Sequence, residues 1–165
     1  MYIDEKYPEQ RTFSMALYMI AGTSAVLQLF SSTIILGLIL LVLSFLMAKM
    51  QRVTARETTY SSHVEWTYNT LSTGTFVLFP ISACIAIYFI FKNTDIAGVK
   101  DAMNSDDMDV LFTGAQNYIS RATPYAKNIS MITLTPPVLW WVRRCVAGFL
   151  RAKNSEPVDY PNALI

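Results

Sequence analysis

The residues with the greatest chemical potential lie in one stretch, RETTYSSHVEWTYNTL, from Arg56 to Leu71. This stretch holds the only histidine of the chain, His63, next to a serine and close to a glutamate. Such neighbours could form a hydrolytic dyad or a general acid–base pair. Adjacent side chains on a helix point about 100° apart, however, so neither Ser62 nor Glu65 would reach His63. The lack of a second histidine also argues against a metal site, and an enzyme is not expected.

The same stretch has a helical pattern that suggests a packing role. Thr58, Ser62, Glu65 and Asn69 recur at spacings of four, three and four, which places them on one face of a helix. Unpaired polar groups cost several kcal/mol in hydrocarbon, so this face must turn toward other helices, a partner or water. The predicted packing or partner surface consists of Arg56, Thr58, Ser62, His63, Trp66, Asn69 and Thr70.

A ligand site is the alternative for this stretch. Arg52, Arg56 and His63 could together meet the phosphate of a lipid head group near a membrane boundary, or bind a solute or an ion.

The elements that must position these residues are indicated by runs without charge. No ionisable Asp, Glu, Lys, Arg or His occurs from Thr12 to Ala48, a run too long for one spanning helix of about 20 residues. A second run covers 66–91, and a third, 128–142, reaches spanning length if Lys127 and Arg143 snorkel. The sequence therefore predicts an all-α, polytopic protein with a single integral membrane domain over 1–165. Its four transmembrane helices form an N-terminal hairpin plus two, at about 12–29, 33–50, 66–91 and 126–142.

Basic residues predict the orientation of these helices. The loop KMQRVTARE and the tail after Val142 are rich in Lys and Arg, whereas 92–127 carries five aspartates against four bases. By the positive-inside rule both termini are cytoplasmic, 92–127 is an external loop and 143–165 is a cytoplasmic tail. Within the external loop, apolar residues recur every three or four positions and predict a short amphipathic helix, which would lie on the outer leaflet or the bundle, or dock a partner: Met108, Leu111, Phe112, Ala115 and Ile119.

Two further features concern the last two helices. Pro80 should kink the third helix, and Pro136 with Pro137 should either kink the fourth or mark its regular start. An aromatic pair followed by a basic pair is typical of anchors at the inner membrane interface, namely Trp140, Trp141, Arg143 and Arg144.

The pattern R-x-T-x-x-x-S-H-x-x-W-x-x-x-T, carried by Arg56, Thr58, Ser62, His63, Trp66 and Thr70, is similar to one found in small uncharacterised proteobacterial inner-membrane proteins. Their W-x-x-R-x-x-x-G-like segment has a counterpart in Trp140 or Trp141, Arg144 and Gly148. These proteins distantly resemble the group that includes a chloroplast inner-envelope import component. The resemblance implies a four-helix membrane fold in a bacterial inner membrane, and it implies no catalytic residues.

The expected function is that of a non-enzymatic accessory, scaffold or assembly subunit of a larger inner-membrane complex. Small residues at close-packing spacing support it, such as Gly37, Ser44 and Ala48, or Ser82 with Ala86. The expected partners are the lipid bilayer and other membrane subunits. No cofactor is expected, and a net charge of +1 without a basic stripe argues against nucleic acid. The alternative is a small channel or carrier that acts as an oligomer.

Overall fold

A computed structural model describes residues 8–30, 32–54, 60–94, 100–101, 104 and 107–159. Across these residues the fold is all-helical and contains no strand, which confirms the all-α part of the predicted fold class. The described α-helices are α1 (Pro8–Leu27), α2 (Ile34–Thr54), α3 (Ser61–Thr73), α4 (Phe79–Asn93) and α5 (Met108–Lys153). A short π-helical segment, Gly74–Leu78, joins α3 to α4 without a break.

Two of the helical stretches are long and apolar enough to cross a membrane. They are Ile34–Val53 and the continuous Ser61–Asn93, with mean hydropathies of 2.2 and 2.1. In the most apolar 18 residues of each stretch, only 22% and 17% respectively are buried within the fold, whereas the core helix of a soluble protein is mostly buried. Large apolar side chains such as Ile35, Ile39 and Phe76 are exposed on them.

The first two helices form the hairpin that the sequence predicts. The connection is short, and the Thr33 hydroxyl donates to the Leu27 carbonyl across it at 2.8 Å. Gly37 brings the helices close, because a Cβ there would lie 3.1 Å from the Ser24 carbonyl oxygen. One face of α2 is buried at spacings of four, three and four by Gly37, Leu41, Ser44 and Ala48. The small residues of α2 therefore pack within the chain's own fold.

The region of Pro80 adopts a wider helix in place of an ordinary α-helical turn. Proline lacks the N–H for the ladder, and its ring would clash with the carbonyl four residues earlier, at Phe76. The π-helical segment Gly74–Leu78 covers that carbonyl, and such single-turn widenings are a recognised way to relieve this conflict. A kink was predicted at Pro80, and the structure has a π-helical segment just before it, over Gly74–Leu78.

The last helix differs from the prediction in its length. Residues 108–153 form one helix, so the short amphipathic helix and the fourth helix, predicted as separate elements, are a single element. The helix also runs through Pro136 and Pro137, and it continues past residue 142 into the predicted tail. Between the two predicted pieces, Arg121 and Ala122 favour helix, and this local preference outweighs the single Pro124.

Two compact units can be distinguished, and each is described by itself. The first comprises Met1–Leu78 and Pro137–Ile165, and the second Phe79–Pro136. In the second unit the buried side chains among the described residues are all small: Ser82, Ala86, Thr94 and Ala122. Small side chains of this kind allow close approach of helix backbones.

In the first unit, neighbouring helices run antiparallel. Arg52 near the end of α2 pairs with Glu65 near the start of α3 at 3.0 Å. Arg11 at the start of α1 donates to the carbonyl of Lys153 at the end of α5. The start of α1, the end of α2, the start of α3 and the end of α5 therefore lie at the same end of this unit. The polar side chains described next are gathered there.

Candidate functional site

The predicted surface on α3 lies largely inside the first unit. His63, Trp66 and Thr70 are buried, and Ser62 and Asn69 are partly buried. Arg56 and Thr58 lie outside the described residues. The buried members face α1, the end of α5 and the segment after α5, as the following contacts show.

His63 bridges the segment after α5 to α1. Its Nε2 lies 2.8 Å from the carbonyl oxygen of Glu156, and a carbonyl can only accept, so Nε2 carries a proton. Its Nδ1 lies 3.0 Å from the hydroxyl oxygen of Tyr18, which also lies 3.3 Å from the His63 carbonyl oxygen. Both ring nitrogens are therefore engaged. Only 1% of His63 is exposed, which removes it from any substrate in solution.

Arg144 of α5 is held between aromatic rings. Its guanidinium carbon lies 3.6 Å from the centroid of the Trp66 ring and 5.2 Å from that of Trp140. Its Nε donates to the hydroxyl oxygen of Thr70 at 2.9 Å, although 74 positions separate the two residues. Only 5% of Arg144 is exposed, and desolvated cation–π contacts of this kind are worth about 2 kcal/mol or more.

A side-chain-to-backbone hydrogen bond also joins the same pair of helices. The Trp66 indole N–H donates to the Arg144 carbonyl at 3.1 Å. The hydroxyl of Thr70 donates to the Trp66 carbonyl at 2.8 Å, which aims its oxygen at the Arg144 guanidinium. Trp66 and Thr70 of α3 thus lie directly against Arg144 of α5.

Two glycines provide space for aromatic rings at the site. A Cβ on Gly74 would lie 2.2 Å from ring carbons of Trp141, and one on Gly148 would lie 2.3 Å from the Tyr18 ring. Both distances are far below van der Waals contact. These glycines therefore let Trp141 and Tyr18 pack directly against helix backbone.

The segment after α5 is fixed against the start of α3. Ser155 has a φ of 58°, and the N–H of Glu156 donates to the Arg151 carbonyl at 2.9 Å, which is the helix-ending pattern of the Schellman motif. The N–H of Val158 then donates to the Ser62 hydroxyl at 3.0 Å. The Val158 side chain is buried, so this segment, 154–159, forms part of the packed unit.

The four predicted interface anchors occupy different environments. Arg143 is exposed and Trp140 is partly buried, whereas Trp141 and Arg144 lie in the interior. The interior location follows from helix geometry, because positions 141, 144, 145 and 148 share the face of α5 that packs on α1 and α3. The neighbouring Cys145 is a free, buried thiol.

Sequence reasoning missed several members of this site. Tyr18, Thr67, Gly74 and Gly148 are all buried in it, and only Gly148 entered the analysis, through the resemblance. An isolated glycine within a helical pattern often marks a close packing contact, so Gly74 could have been predicted as a packing position. Tyr18 lies in an apolar run 45 positions from His63, and nothing in the local sequence marks it.

The contacts above are structural in character. Among the described residues, no group of three or more His, Cys, Asp and Glu side chains could hold a metal ion. Ser62 accepts the backbone N–H of Val158, and His63 is bound on both nitrogens. The arrangement can join α1, α3, α5 and segment 154–159 into one unit. No family model, curated protein or solved structure matches the chain.

Proposed function

We propose that this chain is a small multi-pass protein of a bacterial inner membrane, and that it serves as a non-enzymatic accessory, scaffold or assembly subunit of a larger membrane complex. One observation carries this proposal. The first unit turns its polar side chains inward, around His63 and Arg144, while the long apolar faces of α2 and the Ser61–Asn93 stretch are exposed. This is the distribution expected of a protein whose surroundings are lipid or other membrane helices.

The four-span arrangement is part of the proposal. In the first unit α1, α2, α3 and the end of α5 pack side by side, and two of these belong to stretches apolar enough to cross a membrane. The contact between Arg11 and the Lys153 carbonyl supports placing both chain ends on one side. We assign that side to the cytoplasm because Arg11, Arg52, Arg151 and Lys153 gather at this end.

The burial and hydrogen bonding of His63 support the subunit role. A catalytic histidine needs a free lone pair within reach of its substrate, whereas His63 is buried and bound on both sides. The exposed helix surface is apolar at residues such as Ile39 and Val42 of α2 and Ile87 of α4. Surfaces of this kind suit lateral contact with other membrane helices.

Purification in a mild detergent with site-specific photocrosslinking tests the proposal. A photoreactive residue at exposed Ile39 or Ile87 should join the chain to the same membrane protein that co-purifies with it. The matched control is Leu41, which is buried within the hairpin and should give no intermolecular product. Recovery of the chain only as a monomer, with no product at either exposed site, would contradict the subunit role.

A further inference from the structure

An apolar groove lies between α1 and the last turns of α5, within the first unit. It encloses about 500 Å³, within the range of about 300–1,000 Å³ that ligand sites usually have. Met19 and Val26 of α1 and Val146 and Phe149 of α5 line it. Tyr18 contributes its ring, since its hydroxyl is engaged with His63. No contact described above uses this space.

The width of the groove restricts what can enter it. At Gly22 the two helices approach so closely that a Cβ would lie 3.4 Å from the Cβ of Cys145. The helices thus close the floor of the groove, and an α-helix, about 10–12 Å across with its side chains, is too wide to reach that floor. A single chain of methylene groups is narrow enough, and the apolar lining favours it.

The cytoplasmic end of the groove carries positive charge. On α5 the lining residues Val142, Val146 and Phe149 are followed by Lys153 at spacings of four, three and four, so Lys153 continues the same face. On α1, Arg11 lies three turns before Gly22 on the same face. Both basic side chains are exposed, and Arg11 contacts the carbonyl of Lys153, so the two meet where the groove ends.

We propose that this groove holds one acyl chain of an anionic phospholipid whose phosphate lies at Arg11 and Lys153. The apolar groove is complementary to an acyl chain, and the two cations at its end are complementary to an anionic head group. The assignment rests on the proposed membrane location. Lipids with the same chains but no net charge should bind less well, because only the chain contact remains.

Native mass spectrometry of the detergent-purified full chain can test the acyl-chain contact. The probes are phosphatidylglycerol and phosphatidylcholine with identical chains, each titrated against the protein. Val146→Trp should fill the groove and abolish preferential retention of one phosphatidylglycerol. The matched control, Leu150→Trp, changes an exposed residue one turn further along α5 that does not line the groove, and it should retain the lipid. Val26→Phe fills the groove from the α1 side. It replaces Val146→Trp as the test variant if the latter fails to fold, with the same expected loss of phosphatidylglycerol retention.

The head-group contact has its own pair of variants. Lys153→Gln removes one charge but leaves the backbone carbonyl that Arg11 contacts, and it should weaken phosphatidylglycerol binding about fivefold. Lys49→Gln removes an equally exposed charge on α2 and should leave binding unchanged. Phosphatidylcholine binding should respond to neither variant.

The outcomes separate this inference from the proposed function. If the wild-type chain resists carbonate extraction from membranes but retains both lipids equally, the groove assignment is overturned and the membrane location stands. Equal lipid retention by Val146→Trp, Leu150→Trp and the wild type would overturn it as well. A chain that carbonate releases from membranes overturns both.

Discussion

Gly74 lies directly beneath the ring of Trp141, at a distance where no other side chain fits. A Cβ on Gly74 would be 2.2 Å from two carbons of the ring, and Trp141 is fully buried and cannot move aside cheaply. We therefore expect Gly74→Ala to destabilise the first unit by about 1–3 kcal/mol, the usual cost of overpacking. Unfolding in detergent, followed by tryptophan fluorescence, measures this because all three tryptophans belong to the site or adjoin it.

Gly22→Ala is the matched control for that substitution. Its Cβ would lie 3.4 Å from Cys145, which is close to ordinary contact, and helical alanine is favoured over glycine by up to about 1 kcal/mol. It should leave the stability unchanged or raise it. If the two alanines had equal effects, the packing of Trp141 on Gly74 would not limit the stability.

Arg144→Lys should be disruptive although it keeps the charge. Lysine lacks both the planar group that stacks on Trp66 and the Nε that donates to Thr70. We expect a loss of about 2 kcal/mol in unfolding free energy, measured by the same fluorescence assay. The adjacent Arg143→Lys changes an exposed residue and should be neutral. A neutral Arg144→Lys would mean that charge alone matters at this position.

The helices and their apolar faces could be predicted from local pattern. Charge-free runs gave the hairpin and the continuous Ser61–Asn93 stretch to within about five residues, because long apolar runs of this kind are typical of helices. The spacing of Gly37, Ser44 and Ala48 matches the buried face of α2. Pro136 and Pro137 were predicted to kink the last helix or to mark its regular start, and the helix does not start there because 108–153 form one helix.

The site itself was only half predictable. The spacing of Ser62, His63, Trp66 and Thr70 indicated a polar face that avoids lipid, but it did not give the partners. Tyr18 and Arg144 come from 45 and 74 positions away, and such distances leave no local signal. The buried contact of Arg144 with Trp66 was not predicted either, because an arginine that follows tryptophans has the same sequence pattern in a packed interior and at a membrane interface.

Tyr18→Phe tests the bridge between α1 and His63. The substitution removes the hydroxyl that hydrogen-bonds Nδ1 and leaves a buried ring nitrogen without that partner, which costs about 1–3 kcal/mol. Tyr88→Phe is the control, since Tyr88 is 60% exposed. A double-mutant cycle with His63→Gln gives the coupling directly. Additive effects of Tyr18→Phe and His63→Gln would show that the two side chains do not act as a pair.

The proposed orientation predicts a labelling pattern in intact cells. In a chain whose Cys84 and Cys145 are replaced by serine, single cysteines at Arg52 and Asn154 should be protected from an impermeant thiol reagent. A single cysteine at Asn104 should be labelled, because basic residues gather at the end of the unit that holds Arg52 and Asn154. Labelling at 52 with protection at 104 would invert the orientation.

The attachment of segment 154–159 should depend on Val158 and hardly at all on the nearby ion pair. Val158 is buried and its N–H donates to Ser62, so Val158→Asp places a charge in the packed interior and should release the segment. Asp159→Asn breaks the ion pair between Asp159 and Arg151. The Arg151 side chain is 41% exposed and that of Asp159 is 69% exposed, and exposed ion pairs contribute at most about 1 kcal/mol. Limited proteolysis of the detergent-purified chain distinguishes the two: cleavage after α5 should become faster in Val158→Asp and stay at the wild-type rate in Asp159→Asn. Equal rates in all three chains would mean that Val158 does not hold the segment, whereas faster cleavage in Asp159→Asn alone would assign that role to the ion pair.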